Sequence, residues 1–233
     1  MNSFSRLALV LGVMFACTAQ AALTRKDLKD VDVTALTGEL QKTVPGEGIH
    51  MAWWIPTEFW GASVASDADM SQADKDELVR VMSKYSLLAV AQADVTRFGT
   101  IAFYERSVIV NGMKIELADG KKTRELQPIE DYPDELRMLL KIMTPMLESA
   151  LGNTGKNLNF FVLSDESRDG RLISPYGNST LIVTLTDKKG VVLEPIRFEM
   201  PLDSLYVPRM CPNGKPAHVS WTVCPWDGTK LPN

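Results

Sequence analysis

The chain has 233 residues, 45% of them hydrophobic, with 25 basic and 29 acidic side chains and a formal net charge of −4. That balance excludes a nucleic-acid binder, which needs a basic stripe to displace counterions, and excludes electrostatic docking on anionic lipid. The length suffices for one good core or two small ones, burying about 70% of the unfolded surface.

The first 21 residues read as an export signal: Arg6 supplies a positive charge, Leu7 to Ala16 is a short apolar run, and Ala19-Gln20-Ala21 is a small-residue cleavage site. The run is shorter than the ~18 apolar residues of a membrane helix, and no later stretch approaches that length. The expected product is periplasmic or secreted and has no transmembrane segment. A competing lipoprotein site at Cys17 is weakened by the bulky Phe15 nearby. Cleavage after Ala21 removes one arginine and no acid, so the net charge moves from −4 to −5.

Residues 22–47 are polar, with a weak helical period through Leu28, Val31, Leu36 and Leu40, and read as a short helix or lead-in arm. From His50 to Trp60, three of the five tryptophans (Trp53, Trp54, Trp60) fall within eight positions, interrupted by Pro56. Two readings stay open: a hydrophobic plug, or an aromatic platform for a sugar, peptide or partner surface. Ser71 to Tyr85 reads as a helix, opened by a Ser71/Asp74 capping pair, with Leu78, Val81, Met82 and Tyr85 on one face.

Leu87–Val95 reads as a buried strand, and Thr100–Phe103, Ser107–Asn111 and Met113–Ala118 as short strands divided by turns, with Asn111-Gly112 and Asp119-Gly120 as turn signals. A second amphipathic helix opens at Asp131-Tyr132-Pro133 and ends at Gly152, with Met138, Met143 and Met146 read as core packing. Strands follow at Asn159–Ser164, Thr180–Thr186 and within Val191–Pro201. The order of elements does not alternate as a doubly wound fold would. It predicts an α+β fold: a mostly antiparallel sheet or sandwich with two amphipathic helices and a small C-terminal knuckle module. The predicted division is a signal peptide over 1–21, a main domain over 22–208 and a tail over 209–233.

Chemistry-bearing residues are few. Asp165, Ser167 and Asp169, followed by Gly170, alternate as calcium-loop ligands do, but position twelve is Tyr176 where a bidentate glutamate belongs. An Asp/Gly-rich turn explains the same residues. Only His50 and His218 are available as histidines, and neither neighbours a nucleophile elbow.

The tail reads Cys211-Pro-Asn-Gly214, then His218 and Trp221, then Cys224-Pro-Trp-Asp-Gly228 and Leu231. It resembles a zinc ribbon that has lost one cysteine from each knuckle, over about 21 residues. The resemblance implies two facing sulfurs, which leaves three states: a Cys211–Cys224 disulfide, favoured by an oxidising compartment; free thiols; or zinc held by Cys211, His218, Cys224 and Asp227. No cofactor is expected, with calcium and zinc as the alternatives. The leading expectation is an exported, non-catalytic binding module contacting an envelope protein or small ligand. The alternatives are a carboxylate-based envelope hydrolase and a calcium-stabilised structural domain.

Overall fold

The computed structural model describes residues 23–120, 122–168 and 170–232. The segment read as an export signal, with Cys17 and Ala21, lies outside the described residues, as does Asp169 of the calcium-like loop.

After a 3-10 turn at Leu28–Asp30, helix α1 (Val33–Leu40) is capped by Asp32, whose carboxylate accepts the Thr34 and Ala35 amides. Strands β1 (Gln41–Thr43) and β2 (Ile49–Ile55) follow, and Pro56 turns the chain into α2 (Thr57–Ala65). Ser71 caps α3 (Gln72–Met82) by accepting the Asp74 amide at 3.2 Å. Next come β3 (Tyr85–Val95), β4 (Ile101–Phe103), α4 (Arg106–Gly112), β5 (Met113–Asp119) and β6 (Lys122–Leu126). The long α5 (Asp134–Leu151) and one-turn α6 (Asn153–Lys156) precede β7 (Asn159–Ser164) and the two-residue strands β8 (Glu166–Ser167) and β9 (Gly170–Arg171). Strands β10 (Ser179–Leu185), β11 (Ile196–Glu199), β12 (Arg209–Met210) and β13 (Pro216–Ala217) complete the chain.

The fold is α+β, and every strand pair is antiparallel. One sheet runs β1-β2-β3-β4, with β7 also paired to β3; the other runs β11-β10-β5-β6. The residues of β3 explain its place. Ser86–Ala93 is buried without alternation, as a strand covered on both faces must be. By contrast β10 buries Leu181, Val183 and Leu185 and leaves the intervening residues half-exposed, the pattern of a one-sided strand. The two sheets share one core, in which the Trp54 and Phe198 rings lie 6.0 Å apart.

Three expectations change or narrow. Ser107–Asn111, read as a strand from its β-branched run, is helix α4, with Ile109 buried and Val110 exposed. Of the two readings of the polar stretch before residue 47, the short helix holds, as capped α1, and an edge strand that neither reading included follows it. In α5, Met143 is buried but Met138 faces solvent; the Met146 side chain is outside the described set.

Candidate functional site

The three clustered tryptophans are core residues. Trp54 is fully buried and donates its Nε1 proton to Ser86 Oγ at 2.6 Å; Trp53 and Trp60 are buried on either side of Phe59, each edge-on to its ring. The reading of Trp53, Trp54 and Trp60 as an exposed platform is therefore corrected. The burial pattern gives the reason: β2 is buried without alternation from His50 to Ile55, so side chains on both of its faces are covered, and Trp60 is buried on α2.

The calcium-like loop also has a different occupation. Asp165 is fully buried, and its Oδ2 accepts from Arg171 Nε and Nη2 at 2.9 and 2.7 Å while Oδ1 accepts the Ile173 amide at 2.5 Å. Arg171 Nη1 donates to Glu58 Oε1 at 2.5 Å, tying the loop to α2. Ser167 Oγ donates to the Gly170 carbonyl. Asp165 is thus neutralised by a guanidinium, not presented to a cation. Burial raises its pKa above the ordinary carboxylate value, only partly offset by the Arg171 charge and the Ile173 amide. Asp165 and Glu58 are also the carboxylate pair a hydrolase reading would turn to, and both are held by Arg171. Burial, with Glu58 as the next cause, pushes nearby Tyr176 up to about 12.

His50 is a core residue, its Nδ1 3.2 Å from the Gln92 amide nitrogen and its Nε2 3.2 Å from the Glu47 carbonyl. Tyr104 donates to Asp94 at 2.6 Å, and burial followed by that bond pushes its pKa up to about 12.

The tail differs from all of this. Cys211 and Cys224 each open a tight turn: the Gly214 amide donates to the Cys211 carbonyl and the Gly228 amide to the Cys224 carbonyl, both at 2.9 Å. Gly214 and Gly228 have φ of +77° and +73°, a conformation that needs glycine. Both cysteines are buried, and with Ala217 and Leu231 they form a core separate from the main one. Burial and then the neighbouring Cys224 thiol push the Cys211 thiol up to about 11. The Thr229 amide first, and the Cys224 thiol next, hold Asp227 below its usual range. His218 is turned elsewhere: its Nδ1 lies 2.8 Å from Ser220 Oγ and accepts the Ser220 amide at 3.2 Å. Among the described residues no group of three or more His, Cys, Asp or Glu side chains is placed to share a metal ion.

Arg209 fastens the tail. Its Nη1 donates to the Pro232 carbonyl at 2.6 Å, and its Nη2 reaches the His218, Val219 and Trp221 carbonyls at 3.3, 2.9 and 2.5 Å. Val219 enters the main core, and its amide donates to Asp203 at 2.6 Å. On this scaffold stand the two remaining tryptophans, Trp221 and Trp226, 38% and 48% exposed, nearly perpendicular with centroids 5.9 Å apart. His218 lies 6.0 Å from Trp221, and Lys215 Nζ sits 5.0 Å over the Trp226 ring. His218 and Ser220 also line a cavity of about 300 Å³ against the ends of β10 and β11, with Asn178, Thr180 and Glu199 on its far wall. The candidate site is this strip: two indoles, a histidine and a polar cavity in sequence.

Of the two readings left open for the clustered tryptophans, the structure shows the buried plug, and the exposed indoles Trp221 and Trp226 lie in a segment where sequence reasoning sought no aromatic surface. A signal was available, because a module whose whole core is two cysteines, an alanine and a leucine cannot enclose two indoles. Comparison with protein-family models, with curated proteins and with solved structures finds no match to this chain.

Proposed function

We propose that the chain is an exported, non-catalytic binding module of the cell envelope, and that its contact face is the C-terminal knuckle. The observation that carries this reading is the pair of exposed, mutually packed indoles, Trp221 and Trp226, on a backbone fixed by Arg209. Large aromatic side chains left partly open on a rigid frame are the usual anchors of binding surfaces. In this reading Cys211 and Cys224 join as a cystine after export and hold the two turns together. The polar groups elsewhere in the fold support it by contrast: His50, Asp165, Glu58 and Tyr104 are engaged with internal partners.

The test is co-sedimentation of the mature protein with washed cell-envelope fragments. Wild type should pellet with the fragments, and Trp221→Ala/Trp226→Ala should lose at least tenfold in retention while keeping its circular dichroism. Equal retention of both proteins would refute the assignment of the face.

A further inference from the structure

We infer that the ligand of this strip is a neutral, β-linked pyranose chain whose hydroxyls are equatorial; the inference rests on the binding-module reading above. Three features of the strip select this chemistry. First, an indole face is electron-rich and flat, and it attracts the slightly positive axial C–H bonds that such sugars present on each ring face. Trp221 and Trp226 each keep more than a third of their surface open. Second, His218, whose ring lies 6.0 Å from Trp221, lines a cavity with a mixed set of hydrogen-bonding groups. Glu199 accepts, the Thr180 and Ser220 hydroxyls both donate and accept, and Asn178 does both through its amide. The Ser220 amide donates to His218 Nδ1, so in the neutral ring the proton sits on Nε2, which remains a donor. Vicinal hydroxyls, each a donor and an acceptor at once, match that alternation. Third, charges of both signs stand near the strip. Lys215 lies over Trp226, Asp227 carries its charge beside it, and Glu199 lines the cavity. A phosphorylated or carboxylated ligand entering the cavity would meet Glu199, and a polycation would meet Lys215.

The inference is tested on the full mature chain with two soluble probes, the β-1,4-linked tetramers of glucose and of N-acetylglucosamine. Intrinsic tryptophan fluorescence and calorimetry supply the readouts. At least one tetramer should give saturable binding in the micromolar to millimolar range. Trp226→Ala should weaken it at least tenfold, and Glu199→Gln and Thr180→Val each severalfold, which a purely apolar surface would not show. Phe98→Ala, a fully exposed aromatic on the distant β3–β4 turn, should leave binding unchanged. No saturation with either tetramer by about 10 mM overturns the inference, as does indifference to both cavity substitutions. Envelope fragments separate this failure from failure of the broader reading. Retention lost after digestion with glycan hydrolases supports a saccharide. Retention that survives glycan digestion and disappears only after proteolysis of the fragments overturns the saccharide and leaves the binding module standing. No retention on untreated fragments overturns both.

Discussion

Arg171→Met is the sharpest test of how the fold is held together. The guanidinium makes two bonds to Asp165 Oδ2, at 2.9 and 2.7 Å, and one to Glu58 Oε1 at 2.5 Å. Asp165 is fully buried and Glu58 nearly so. A methionine of similar length fills the space but leaves two carboxylates facing each other without a cation. Removing one partner of a buried ion pair costs about 3–5 kcal/mol, because the remaining charge stays desolvated. The loss should depend on pH in a defined direction. Burial already raises the Asp165 pKa above its ordinary value in the native state. The folded protein therefore holds the proton more tightly than the unfolded chain, so the stabilisation is complete below the unfolded pKa and is lost as pH rises through the folded one. Without Arg171 the folded pKa climbs further, and the window moves toward neutrality.

Each pH unit inside that window is worth about 1.4 kcal/mol for one proton. The variant's deficit relative to wild type should accordingly be about 4 kcal/mol at pH 8 and shrink to about 1–2 kcal/mol at pH 5. Urea unfolding at pH 5, 6, 7 and 8, followed by circular dichroism, measures it. Adding Asp165→Asn should remove most of the pH dependence, since the asparagine keeps an acceptor for the Ile173 amide and carries no charge. A deficit under about 1 kcal/mol at pH 8, or one that stays flat with pH, would show that the brace is not a desolvated ion cluster.

Trp54→Phe removes the buried bond to Ser86 and should cost about 1–3 kcal/mol in urea unfolding, partly recovered when Ser86→Ala removes the stranded hydroxyl; a loss that Ser86→Ala fails to soften would contradict this. Arg209→Lys loses a guanidinium that spans four backbone carbonyls. Amide exchange should accelerate in residues 209–232 and not in β3; acceleration spread evenly over both would argue against a local clamp. Protein recovered from an oxidising compartment should have an intact mass two hydrogens below its reduced form, and reduction should cost about 3 kcal/mol, the chain-entropy value for so short a loop. Both thiols open to alkylation in unreduced material would remove the cystine.

Much of the fold was readable where one physical requirement dominated. The unbroken apolar run of β3 announces burial on both faces, and Ser71 with Asp74 announces the start of α3. Segments failed where tertiary context overrode local preference. Val108-Ile109-Val110 has strand-forming side chains, yet the chain must cross from β4 in one sheet to β5 in the other, and the register from Met113↔Leu185 to Asp119↔Ser179 fixes where β5 begins. The seven residues of α4, about two helical turns, fit that gap and still bury Ile109. The candidate site was missed for a different reason: aromatic density drew attention to Trp53, Trp54 and Trp60, for which a buried plug and an exposed platform were both open, and away from Trp221 and Trp226. A run of tryptophans on a central strand is the cheapest material for a core. An isolated tryptophan between two glycine turns has no interior to enter.

That contrast also separates stability from function in this molecule. In the two-sheet body the buried titratable groups described above each have an internal partner, although Glu58 Oε2 and Gln92 Oε1 have none. Arg171 takes the carboxylates of Asp165 and Glu58, Gln92 holds His50, and Asp94 binds Tyr104. Changing any of them perturbs packing before it perturbs a ligand. In the tail the order is reversed. The backbone is fixed by Arg209, the glycine turns and the buried cysteines, none of which depends on the open faces of Trp221 and Trp226. Substituting either indole should therefore shift stability by no more than about 1 kcal/mol while removing recognition. Loss of envelope retention at unchanged stability in these variants would support the binding reading proposed above, whereas a stability loss above about 2 kcal/mol would place the indoles among the structural residues.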